Sequence, residues 1–104
     1  MDWHDMEETH FRASQICRVL GNPKTYAMVK ELSKGRALTP AELSQKVNRS
    51  LHTVCVHLRH LREVNVVRFQ KKGRGTVYRL KSSTVDKVLK RLEQYVEEMR
   101  EARE

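Results

Sequence analysis

A chain of 104 residues with 38% hydrophobic residues has room for one domain and one modest core, not for a deep cleft and a second layer. No apolar run is long enough to span a membrane, and the acidic opening "MDWHDMEETH" lacks the basic region and apolar stretch of a signal peptide, so no membrane partner and a cytoplasmic protein are expected. The net charge is +8, and residues 46–81 hold ten Lys and Arg against the single acid Glu63, so the positive excess sits in one contiguous third of the chain and points to a polyanion.

The first predicted element is a helix from about Glu8 to Leu20, with Phe11, Ala13, Ile16, Cys17 and Leu20 near one stripe. "GNP" interrupts it, because Pro23 disfavours helical geometry at Asn22 yet suits a helix start. A second helix follows with Tyr26, Val29 and Leu32 inward, ending near Gly35. "LTPAEL" opens a third: Thr39 can cap, Pro40 takes the first helical position, and Glu42 completes a capping box. That helix is short and ends near Val47. "NRS" is then a three-residue turn, with Ser50 placed to cap a fourth helix running to Glu63. Asn65 can take the left-handed geometry of its end. "VVRFQKK" and "TVYRL" read as two strands joined by "GRG", a hairpin with a basic tip. The last helix begins near Thr84 and carries Val85, Val88, Leu92, Tyr95, Val96 and Met99 at heptad-like spacing. Three helices and a hairpin, in this order, make a winged helix-turn-helix: mainly α, five helices in all, with a small β-hairpin wing.

The fourth helix contains "SLHTVCVHLRHL", in which His52, Cys55, His57 and His60 crowd into nine positions like a metal site. At about 100° per residue, Leu51, Val54, Leu58 and Leu61 form a buried stripe. His52, Thr53, Val56, Arg59 and His60 lie on the opposite face. Cys55 and His57 sit on its two borders, so the four soft side chains cannot converge on one tetrahedral ion. The exposed face instead suits a DNA groove, where His, Thr and Arg can bond base edges and phosphates and Val56 can touch a thymine methyl. Cys55 at the border and Cys17 on the first helix read as small packing residues, and two cysteines 38 positions apart make no disulfide scaffold. No third group is placed to orient a histidine as a base, and no phosphate loop is present. No catalytic residue, no metal site and no cofactor are expected, and the chain is not expected to be an enzyme.

"LGNPKTYAMVKELSKG", "LTPAELSQKVNRSLHTVCVHLRHLREVNVV" and "RFQKKGRGTVYRL" resemble, in order and spacing, the ArsR/SmtB family of winged-helix repressors over about Leu20 to Leu80. The resemblance implies a homodimer built from the N- and C-terminal helices, and operator binding by the fourth helix and wing. Metal-sensing members carry cysteines on the third helix or His and acidic ligands on the last. Here "PAELSQKV" has no Cys, and Thr84–Glu104 has neither His nor Cys.

The expected organisation is therefore one winged helix-turn-helix domain over 1–104. Residues 1–20 and 84–104 serve dimerisation, through Phe11, Ile16, Val88, Leu92, Tyr95, Val96 and Met99. Residues 23–81 form the DNA-binding core and wing. The expected function is a sequence-selective double-stranded-DNA-binding transcriptional regulator, a repressor on a palindromic operator. Its contacts would come from helix 50–63 and wing 66–80, through Arg49, Ser50, His52, Thr53, Val56, Arg59, His60, Lys71, Lys72 and Arg74. The alternative is a winged-helix interaction module that binds protein or RNA. The N-terminal segment also offers His4, Asp5, His10 and Cys17, which read as solvated tail residues and a core cysteine.

Overall fold

The computed structural model describes residues 6–102; His4 and Asp5 lie outside them. Helix α1 spans Glu8–Leu20, α2 Pro23–Leu32, α3 Pro40–Val47 and α4 Leu51–Glu63. Strands β1 (Val67–Lys72) and β2 (Gly75–Leu80) follow, then α5 (Thr84–Ala102). This is the expected winged helix-turn-helix order.

Local chemistry sets most of these boundaries. The Asn22 side chain accepts from the Lys24 amide, and Pro23 opens α2. At α3 the capping box is complete: Thr39 Oγ1 accepts from the Glu42 amide at 3.1 Å, and Glu42 Oε1 accepts from the Thr39 amide at 2.9 Å. Asn48 closes α3 in the left-handed conformation (φ 55°), and Ser50 Oγ accepts from the Thr53 amide to start α4. Asn65, at φ 68°, turns the chain out of α4 into the wing.

The hairpin is tighter than expected. Lys72 pairs with Gly75, so the turn is the two residues Gly73 and Arg74. Gly73 supplies the positive φ (62°) that a two-residue hairpin needs at its first central position. Val66, expected in the wing, precedes the strand and is buried in the core. Leu38, before α3, forms an antiparallel bridge to Tyr78: each amide donates to the other's carbonyl, at 2.7 and 2.9 Å.

The core gathers one face from each helix: Leu20 of α1, Met28, Val29 and Leu32 of α2, Leu43 of α3, and Val54, Leu58 and Leu61 of α4. Leu38, Val66 and Val67 join from the connecting segments and wing, and Leu89 from α5. Two expectations fail on α1. Cys17 and Ala13 are exposed, and the inward face is Ile16, Val19 and Leu20. Apolar spacing alone allowed either stripe; the crossing with α2 and α4 selects this one.

On α5 the split is sharper. Leu89, which the heptad reading passed over, is fully buried at 0% exposure and is the only α5 residue so buried. Val88, Leu92, Tyr95, Val96 and Met99 are exposed together. Polar contacts hold α5 to α2: Tyr26 Oη donates to Glu93 Oε2 at 2.6 Å, and Lys30 Nζ donates to Glu93 Oε1 at 3.0 Å. Burial, then the hydrogen bond to Glu93, push the Tyr26 hydroxyl up to about 12. The same two donors, Tyr26 first, hold the Glu93 carboxyl below its ordinary value.

Candidate nucleic-acid interface

The turn between α3 and α4 is tied internally. Ser44 Oγ donates to the Arg49 carbonyl at 2.5 Å, and the Arg49 amide donates to the Ser44 carbonyl at 3.1 Å. That fixes the angle between the two helices and leaves the Arg49 side chain exposed beside the start of α4. Ser50 and Thr53 are partly committed to each other, since Ser50 Oγ also donates to Thr53 Oγ1 at 3.0 Å.

The outward face of α4 is rotated from the one the helical wheel favoured. Leu51, His52, Cys55, Arg59, Arg62 and Glu63 are exposed, while Thr53, Val56, His57 and His60 are only half-exposed. The expected buried role of Leu51 is overturned: it is 51% exposed, because the first turn of α4 projects past the core that covers Val54 and Leu58. Cys55 is likewise exposed and does not serve as a packing residue.

His57 and His60 turn toward α1. They line a cleft of about 690 Å³ with Arg12, Gln15, Ile16 and Val19 of α1 and Asn22 and Thr25 at the start of α2. Their rings meet edge to face, 5.8 Å apart. His57 Nδ1 lies 3.3 Å from the hydroxyl of Thr25, itself only 1% exposed. Burial lowers the His57 pKa, and the neighbouring His60 and Lys24 lower it further. His52 and Cys55 face away from this cleft. Among the described residues no three or more His, Cys, Asp or Glu side chains converge in a way that could hold a metal ion.

The wing carries Lys71, Lys72 and Arg74 exposed at its tip. Strand alternation puts Val67, Phe69 and Lys71 on one face, opposite Leu80, Tyr78 and Thr76. Arg68 and Arg79 face each other on the other side. Like charges directly opposite are unfavourable in a bare hairpin. Among the described residues no Lys or Arg between 46 and 81 enters an ion pair. The ion pairs are His10–Glu7, Lys30–Glu93, Lys34–Glu31, Lys90–Asp86 and Arg100–Glu97. The basic third of the sequence thus folds into α4, the turn before it and the wing, and its Lys and Arg side chains form no salt bridge among the described residues.

Three contacts at the root of the wing were not foreseen. The Arg62 guanidinium lies over the Phe69 ring, 4.2 Å from its centroid. Lys81 Nζ donates to Asn65 Oδ1 at 2.6 Å. The third is the Leu38–Tyr78 bridge. An aromatic early in a basic strand, a few residues after an Arg in the last turn of a helix, is a usable signal for the first; nothing local announces the others.

No protein-family model matches the chain, and no curated protein matches it. Solved structures do. The transcriptional regulator HlyU from Vibrio vulnificus is 26% identical with a TM-score of 0.71, over 91% of this chain and 98% of that one. The transcriptional repressor BigR from Xylella fastidiosa is 22% identical with a TM-score of 0.76, over 91% and 96%. The homodimeric winged helix-turn-helix DNA-binding domain of Mb0332 from Mycobacterium bovis, a possible ArsR-family transcriptional regulator, is 15% identical with a TM-score of 0.78, over 100% and 93%. These similar structures belong to transcriptional regulators, not to enzymes. No helix of the described chain is long and apolar enough to cross a membrane.

Proposed function

We propose that this ArsR-like winged helix-turn-helix chain is a cytoplasmic transcriptional repressor that binds a palindromic DNA operator as a homodimer, through α4 and the wing. The observation that carries the reading is the set of Lys and Arg between residues 46 and 81 that form no salt bridge with any described acid. A duplex supplies the missing counter-charge, and release of its condensed ions drives binding. Within that set Lys71, Lys72 and Arg74 take phosphates from the wing tip. Arg49 and the Ser50–Thr53 cap sit where a backbone would pass the start of α4. His52 and Arg59 read base edges, and the exposed Leu51 and Cys55 extend the reading face beyond what the wheel assigned. Val56 and His60 are half-exposed at its border, His60 on the side toward α1.

The homodimer follows from α5. Val88, Leu92, Tyr95, Val96 and Met99 expose one apolar stripe along a helix of 19 residues, about 28 Å long. Left bare, such a stripe is an aggregation liability; paired with a symmetry mate and with Phe11 and Ile16 of α1 it is covered. The two α4 helices would then reach successive major grooves about 34–36 Å apart.

The test is selection of bound duplexes from random DNA, followed by affinity measured against salt. Replacing Lys72 and Arg74 by Ala should flatten the log–log slope by about 0.9 per lost phosphate. Arg59→Ala and His52→Ala should change preference among sequences. Recovery of no duplex from that selection, with fragments recovered from a parallel random-RNA pool or from neither pool, would favour an interaction module for RNA or protein instead.

A further inference from the structure

Within the basic segment Arg62 is engaged inside the molecule through an aromatic ring. Its guanidinium lies over the face of Phe69 at 4.2 Å, and Phe69 in turn meets Tyr78 across the hairpin at 6.1 Å. Arg62 is on the last turn of α4, Phe69 near the start of β1, and Tyr78 is fastened to Leu38 by two hydrogen bonds. Cation, ring, ring and bridge therefore run in sequence from the recognition helix, through the wing, to the segment that leads into α3. On the far side of the same junction Lys81 bonds Asn65. Phe69 itself remains 43% exposed, so burial alone does not account for its position.

We propose that Arg62 is a positioning residue for DNA reading: its stack on Phe69 sets the angle of the wing relative to α4, so that helix and wing meet the duplex in one register. This rests on the DNA-binding reading above. Arg suits the task better than Lys, because its planar, weakly hydrated guanidinium lies flat on a ring. The bound wing needs no contact from Arg62 itself. What the stack supplies is a free protein already in the geometry it adopts on DNA, and preorganisation of that kind shows as affinity without a new contact.

This role and a phosphate contact respond differently to substitution. Phe69→Leu removes the ring and changes no charge. It should weaken binding to a selected duplex about two- to fivefold, the scale of an exposed cation–π contact. The salt slope should stay at the wild-type value, since no phosphate contact is lost. Arg62→Gln should weaken binding by the same factor, again without a slope change. The double variant should be no worse than either single, because both remove one interaction. Phe69→Trp, which keeps a ring face, should retain wild-type affinity. On mixed-sequence DNA, where wing and helix need not be in register, all four proteins should match the wild type.

If Arg62 instead holds a phosphate, Arg62→Gln flattens the slope by about 0.9 and Phe69→Leu does nothing; that result overturns the proposal. Proton NMR of the free protein makes a check independent of DNA. The Arg62 δ-methylene protons should be shifted upfield by the ring in the wild type and lose that shift in Phe69→Leu. Absence of the shift in the wild type refutes the clamp and leaves the DNA reading intact, whereas failure of the wild type to bind any duplex refutes the reading on which the proposal rests.

Discussion

Leu89→Ala isolates the attachment of α5 to the rest of the domain. Leu89 is 0% exposed and is the only residue of α5 that enters the core; Val85 beside it is only partly buried. Truncating a fully enclosed Leu costs about 2–5 kcal/mol, through lost transfer free energy and the cavity left behind. A loss of about 3 kcal/mol is expected here, because α2 and α5 are braced by the Tyr26–Glu93–Lys30 contacts and cannot collapse freely onto the gap. A domain of this size is stable by about 5–15 kcal/mol, so a loss near 3 kcal/mol removes a large share of it. At about 4–8 °C per kcal/mol, the melting temperature should fall by roughly 12–24 °C. The assay is urea denaturation followed by circular dichroism at one fixed protein concentration, since a dimer couples stability to concentration. Leu92→Ala is the control: Leu92 is 52% exposed in the chain, so it should leave the folded subunit intact while weakening self-association in sedimentation. A loss under about 1 kcal/mol for Leu89→Ala would refute the claim that this side chain anchors α5.

Leu92→Glu should yield folded monomers in ultracentrifugation that no longer bind a selected operator; a stable dimer of this variant would contradict the assignment of the stripe. Thr39→Ala should cost about 1 kcal/mol in urea denaturation by breaking the capping box of α3. Asn65→Val should cost at least roughly 1–2 kcal/mol, because a β-branched residue is forced to φ 68° and the acceptor for Lys81 is lost, whereas Asn65→Gly should forfeit only the Lys81 bond. His57 has a folded pKa below its ordinary value of 6.5, so the unfolded chain binds the proton more readily. Its contribution to stability is complete above pH 6.5, declines as pH falls through and beneath that value, and levels off below the folded pKa. His57→Gln should remove that component from melting curves taken across this window, and an unchanged pH slope in the variant would show that another group is responsible.

Where the elements lie and what charge they carry is legible in the order of residues alone. The caps at Asn22, Thr39 and Ser50, the prolines at 23 and 40 and the left-handed asparagines at 48 and 65 all act within a few residues of themselves. Their effect can therefore be read without knowing what the helices touch. The ten cations of residues 46–81 were equally plain, as was the inability of His52, Cys55, His57 and His60 to converge, since helical spacing alone decides which side chains share a face. Spacing does not say which neighbour a face meets or how far along the helix that neighbour extends. Packing between elements is what puts Leu51 and Cys55 on the outward face of α4 and turns His57 and His60 to α1. The same packing makes Ile16 and Val19, not Ala13 and Cys17, meet the core, and buries Leu89 while the stripe beside it is exposed in the single chain. The stack of Arg62 on Phe69 is of the same kind, because the angle at which a hairpin leaves a helix depends on what both pack against.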